Sequence, residues 1–283
     1  GELRYRFSAD MYNQYGDLNN CSNDFWLALS AAKGNARGWF RKNYMIRKSR
    51  ETNYDYWDDR TLVGAGWNPA ESWDMGIQWQ DFRRRHFDDL SVVQAHNYHD
   101  RIADVSVIRH LTERGSVQCG ASFGRREFNR YAVGREEGMW QVMGETQKDD
   151  SLEIHGGLRW YVASVLNDIA VQFQKTQSNG YGFDTRVRSV SWAAAFNPMP
   201  SLTFQTLFRL YHKHYDGEPL RLPELQTGFN DEDEQNILSA KLTWDWNPRW
   251  NLSLAVNRLR TESPIPTKYY IKHLLALQIQ RRF

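Results

Sequence analysis

The sequence predicts an all-β protein: a transmembrane antiparallel up-and-down β-barrel of about 14 strands (12 to 16), with short periplasmic turns and long extracellular loops. Three observations predict it. Apolar and polar residues alternate with period two from end to end, an aromatic-Asn-Pro motif recurs at strand ends, and many aromatic residues accompany a low mean hydropathy.

Composition narrows the classes. No stretch approaches the roughly 18 to 20 apolar residues of a transmembrane helix. Mean hydropathy is −0.72, yet aromatic residues make up 14% of the chain, with 12 Trp and 14 Tyr. A membrane barrel reconciles the two, because only every second strand residue faces lipid while the others line a polar lumen. A net charge of +2 leaves no global field for nucleic acid. Cys21 and Cys119 show neither CxxC nor Cys/His metal spacing and read as free. At 283 residues the whole chain, 1–283, reads as one outer-membrane barrel domain. Gly1 to Asp10 already alternate like a strand, so no signal peptide is expected.

Along the chain, strands are expected to start near Glu2, Asp24, Arg37, Asp59, Trp73, Arg101, Ser116, Ser151, Asn167, Arg186, Ser201, Glu234, Trp250 and Lys268. Their faces separate cleanly. Trp73, Met75, Ile77 and Trp79 alternate with Asp74, Gly76, Gln78 and Gln80; Ile154, Leu158 and Trp160 with Glu153, His155 and Arg159. Val190, Trp192, Ala194 and Phe196 alternate with Ser189, Ser191, Ala193 and Ala195. Leu238, Leu242, Trp244 and Trp246 do so with Ser239, Lys241, Thr243 and Asp245, and Leu252, Leu254 and Val256 with Ser253, Ala255 and Asn257.

Trp67-Asn68-Pro69, Phe196-Asn197-Pro198 and Trp246-Asn247-Pro248 each end an apolar run and predict periplasmic turns, since proline fixes φ and lacks an N–H. The opposite connections are longer and polar: Met11 to Asn23, Lys48 to Asp58, Arg83 to Asp100, Arg130 to Asp150, Lys175 to Thr185 and Tyr211 to Glu234. Taking Arg130 to Asp150 as one external loop keeps the strand number even, with both chain ends periplasmic.

Candidate functional residues follow from face and height. Glu153, His155, Arg159, Arg188, Arg209, Lys241, Asp245 and Lys272 are lumen candidates, a mixed-sign set able to pair across strands or to tune passage. Trp67, Trp73, Trp160, Trp192, Phe196, Trp244, Trp246 and Trp250 are aromatic-girdle candidates. Arg83, Arg84, Arg85, Arg125 and Arg126 are candidates for lipopolysaccharide phosphates, which suit bidentate guanidinium. His212 and His214 share a face but lack a third metal ligand, and Asp231 to Glu234 read as a solvated acidic loop. No nucleophile elbow, metal motif or glycine loop is present, so no enzyme, cofactor or metal is expected.

The last segment carries a further signal. Tyr269, Ile271, Leu275, Leu277, Ile279 and Phe283 share one face of a final strand ending in Phe, which resembles the assembly signal of outer-membrane barrels. Ser263-Pro264-Ile265-Pro266, followed by Tyr269-Tyr270 and that strand, resembles the C-terminal hairpin of the surface lipoprotein assembly modulator (Slam) family. The resemblance implies the barrel of a translocon that brings lipoproteins or secreted proteins to the surface of a Gram-negative cell, with the barrel assembly machinery and lipopolysaccharide as partners. An exopolysaccharide exporter or diffusion porin, and a receptor or structural barrel with a plugged lumen, are the alternatives.

Overall fold

The computed structural model describes residues 1–10, 20–49, 55–87, 97–136, 139–180, 184–216, 235–261 and 270–281. They form one antiparallel sheet in which each strand pairs with its neighbours in sequence, from β1 to β14. The first seven strands are β1 (Glu2–Asp10), β2 (Asn20–Lys33), β3 (Ala36–Ser49), β4 (Tyr56–Ala70), β5 (Trp73–His86), β6 (Tyr98–Thr112) and β7 (Gly115–Glu136). The second seven are β8 (Met139–Val162), β9 (Val165–Ser178), β10 (Thr185–Met199), β11 (Leu202–Tyr215), β12 (Gln235–Asn247), β13 (Trp250–Thr261) and β14 (Tyr270–Arg281). No helix occurs among the described residues.

One end of the sheet is tightly turned. Two residues each join β2 to β3, β4 to β5, β6 to β7, β8 to β9, β10 to β11 and β12 to β13. Gly34 (φ 59°) and Ala163 (φ 53°) adopt the left-handed conformation that such tight turns demand. Asn247 closes its turn by accepting hydrogen bonds at Oδ1 from the Arg249 and Trp250 amides (2.9 and 3.0 Å). The Asn-Pro pairs differ from expectation. Register shifts at Trp67/Ala70 and Phe196/Met199 place the first two inside β4 and β10, as irregularities just before the turn rather than as the turn itself. Proline's missing donor is tolerated there because the ladder is already interrupted.

The long connections all lie at the other end and are shorter than the sequence suggested, because strands continue past the apolar belt. The largest correction is Arg130 to Asp150, read as a loop. β7 and β8 pair through most of it, with Tyr131 opposite Thr146, Val133 opposite Val142 and Glu136 opposite Met139, across two register shifts. This hairpin rises beyond the belt. Ala132 and Gln147 are buried at its base while most of the hairpin beyond is exposed, so no apolar belt demands alternation and the period that marks the other strands is absent.

The burial pattern is inverted relative to a soluble domain. Phe82, Ala132 and Val187 are the only buried apolar side chains among the described residues, while Val63, Ile77, Trp79, Val105, Leu152, Ile154, Val190 and Leu254 are exposed. In register they fall on one face of every strand, so the sheet turns an apolar belt outward and polar residues inward. Each strand from β2 to β13 pairs on both sides, which satisfies its backbone groups as hydrocarbon requires.

Candidate functional site

The inward face is the candidate site, and the pairing register assigns it residue by residue. On β4 to β7 it opens with a repeated dyad of a ring and a charge two positions apart: Tyr56 and Asp58, Phe82 and Arg84, Tyr98 and Asp100, Phe128 and Arg126. Two-residue spacing puts both members of each dyad on one face, and pairing brings the dyads side by side. Arg84 grips Asp58 with two hydrogen bonds (2.8 and 2.9 Å), and its guanidinium lies over the Tyr56 ring at 4.3 Å. Arg126 bonds Asp100 at 2.8 Å and covers Tyr98 at 4.7 Å. Phe82, Tyr98 and Phe128 follow one another at 5.5 and 5.9 Å. Asp58 and Asp100 are buried, at 5% and 7% exposure, so each is costly without its arginine.

Above the belt, in the raised β7–β8 hairpin, Arg130 donates to buried Gln147 at 2.7 Å and lies 4.3 Å over Phe128. Burial there lowers the Arg130 guanidinium to about 10 and raises the Asp149 carboxyl above the usual carboxylate range.

Lower on the same wall, Glu153 accepts from Gln172 Nε2 at 2.7 Å, and His155 lies 3.5 Å from Glu153 and 3.9 Å from Asp104. Arg159 bonds Asp168 at 2.6 Å, and Arg37 meets Asp74 at 3.1 Å. Glycines let these side chains lie flat: a Cβ at Gly64 would overlap the Trp39 ring, and one at Gly120 the His155 ring. Between them is a recess of about 200 Å³ lined by Arg37, Trp39, Asp74, Gln78, Asp104 and Ser106.

The inward face of β9 to β14 is different. Small or neutral residues dominate: Ala170, Ser189, Ser191, Ala193, Ser239, Thr243, Ser253, Ala255 and Ala276. Thr243 and Ser253 share a hydroxyl hydrogen bond of 3.1 Å. Arg209, over the Tyr211 ring at 5.3 Å, and Lys241 point inward without a carboxylate partner among the described residues.

Of the lumen candidates, Glu153, His155, Arg159, Arg209, Lys241, Asp245 and Lys272 occupy inward positions. Arg188 does not. It shares the outward face with Val190 and Trp192, because its even spacing from them outweighs the expectation that charge seeks the lumen. Within the five arginines assigned to lipopolysaccharide, Arg84 and Arg126 turn inward, and Arg83, Arg85 and Arg125 outward, since consecutive strand residues cannot share a face.

The girdle candidates all lie on the outward face, most near the tight turns. Trp192 sits higher, in the row of Ile169 and Phe208, donating to Asn167 Oδ1 at 3.3 Å. Sequence reading missed the rings nearer the opposite rim, including Tyr44 beside Trp57 (5.8 Å), and Trp79. In the C-terminal set, Ile271, Leu275, Leu277 and Ile279 face outward, whereas Tyr269 and Phe283 lie outside the described residues, as do Asp231 to Glu234. His212 and His214 are exposed on the outward face, no metal-holding cluster occurs among the described residues, and both cysteines are free.

An unbroken antiparallel meander, two-residue turns at every connection of one end, an apolar exterior and a polar interior together define a bacterial outer-membrane β-barrel, integral to that membrane. Solved structures of that class are similar to it in fold. CdiB from Acinetobacter baumannii superposes with a TM-score of 0.55 at 9% identity, over 98% of this chain and 59% of that one. The siderophore receptor PirA from Pseudomonas aeruginosa gives 0.50 at 10% identity, over 99% and 52%. OmpT, an outer-membrane protein of Vibrio cholerae, gives 0.50 at 6% identity, over 91% and 85%. The chain thus spans little more than half the length of CdiB and PirA. No protein-family model and no curated protein matches the sequence.

Proposed function

We propose that this barrel is a non-enzymatic outer-membrane channel that assists translocation or surface display of lipoproteins or other secreted proteins. The observation that carries the reading is the lane of small, neutral, hydrogen-bonding side chains along the inward face of β9 to β14. A hydrated, extended polypeptide carries charges of both signs, and a wall with few fixed charges neither traps nor repels it. The opposite wall holds several of its charges in ion pairs of its own, which reduces the field it presents. The resemblance of the C-terminal hairpin to the Slam family supports the same cargo, and the outward apolar face of β14 suits recognition by the barrel assembly machinery.

Deletion of the gene, followed by protease shaving of intact cells, tests it. Surface lipoproteins should become protease-resistant while total levels persist, and unchanged exposure of every one of them would end this reading. Planar-bilayer conductance of the refolded chain separates a second reading, export of a polysaccharide. Trp39, laid flat beside a recess with Asp74, Gln78 and Asp104, favours it, because a sugar ring stacks on such a face and hydrogen-bonds at its edge. Block of current by oligosaccharide and not by unfolded lipoprotein would select the exporter.

A further inference from the structure

We propose that the outward rim of β9 to β11 binds the phosphate of an outer-leaflet lipid head group, with Arg188 and Lys175 as its ligands. Three successive rows of the pairing register describe the place. Val190 lies between Val171 and Leu210, and the next row up sets Arg188 between Phe173 and His212. The row above that sets Arg186 between Lys175 and His214. All the basic side chains in these rows are exposed on the face that carries the apolar belt, directly above the last aliphatic row of these three strands. The border between the apolar band and the polar rim of a barrel is where its side chains meet lipid head groups.

Counter-charge separates this rim from the neighbouring one. At this end of β5 to β7 three outward arginines are already engaged by acids, Arg83 with Asp81 (3.3 Å), Arg101 with Glu127 (2.8 Å) and Arg125 with Asp150 (2.7 Å), while Arg85 lies over the Trp57 ring (5.8 Å). On β9 to β11 no outward strand position holds an acid; Arg186 reaches Asp216 just beyond β11, but Arg188 and Lys175 have no carboxylate partner among the described residues. Guanidinium meets a phosphate in two parallel hydrogen bonds, and a lysine one row above adds a second cation. At the other end of the same strands, Phe196 faces Phe204 and no cation stands on that face. The charge is therefore placed on one leaflet's side, which fits a fixed head group better than a freely diffusing anion.

The inference goes beyond the transport reading and does not depend on the cargo. The full chain, refolded in detergent, is mixed with bisphosphorylated lipid A or its dephosphorylated form, and retained lipid is read by native mass spectrometry. Heat-modifiable gel mobility confirms the folded barrel. Lipid A retention should fall by at least about tenfold in Lys175→Glu/Arg188→Glu. Arg125→Ala, whose side chain is already paired, should retain lipid as the parent does. If the reversed variant fails to fold, Lys175→Gln/Arg188→Gln makes the same measurement without reversing charge. Equal retention of dephosphorylated lipid A, an equal loss in Arg125→Ala, or displacement by millimolar inorganic phosphate would overturn the proposal.

Discussion

Strands β3 to β8 and β9 to β14 belong to one sheet, with the same pleat and the same outward belt, yet they solve the problem of a polar interior differently. On β3 to β8 the inward face carries full charges, and several are answered across strands: Arg84 by Asp58, Arg126 by Asp100, Arg37 by Asp74, while Arg60 lies over the Phe82 ring. On β9 to β14 the inward face is mostly serine, threonine and alanine, and among its cations Arg209 and Lys241 have no carboxylate partner among the described residues. The outer rim repeats the division, with most of the rim arginines of β5 to β7 paired to acids and uncompensated Arg188 and Lys175 beyond. A charge with a neighbour of opposite sign stiffens the wall, whereas one without remains available to whatever passes or docks.

The largest effect that would test this division is at the buried pair. Asp58→Ala leaves the Arg84 guanidinium without its carboxylate, and should cost about 3 to 5 kcal/mol in urea unfolding followed by gel mobility. A cost below about 1 kcal/mol would mean that water reaches the pair and the wall is not rigid there. Next in size, Gly64→Ala should cost about 1 to 3 kcal/mol by pushing the Trp39 ring off the wall. Gly144→Ala, in the raised hairpin with open space around it, serves as its reference and should be close to neutral. Smaller still, Arg125→Ala removes an exposed pair with Asp150 and should change stability by no more than about 1 kcal/mol.

The least effect on stability is expected on the other half of the wall. Lys241→Met should shift unfolding by about 0.5 kcal/mol or less. It should nonetheless move the reversal potential of the reconstituted channel in a salt gradient toward cation preference, because an unanswered inward cation is lost. An unchanged reversal potential would show that Lys241 lies away from the conducting path and would blur the contrast between the two halves.

How much could be read in advance differs between faces. The belt was legible because lipid imposes a strict choice at every second position: Met75, Ile77 and Trp79 can serve only outside. The dyads of ring and charge were also in plain view, as Tyr56 with Asp58 or Tyr98 with Asp100, but their meaning was not. Asp58 and Arg84 are 26 positions apart, and only the register makes them partners. Arg188 shows the opposite error. Its parity with Val190 and Trp192 was readable, and chemical expectation overrode it. The β7–β8 extension left no period to detect, since neither of its faces meets lipid.

By itself the sequence determined that the chain alternates, that its alternation repeats through about 14 strands, and that tight turns fall at one end and long connections at the other. Those are local properties, set by two-residue periodicity and by proline, glycine and asparagine chemistry at strand ends. Tertiary structure decided which charges cancel, which remain unanswered, and how far β7 and β8 stand above the belt. The reason is that electrostatic pairing depends on distance across strands, which the register sets and one-dimensional spacing does not.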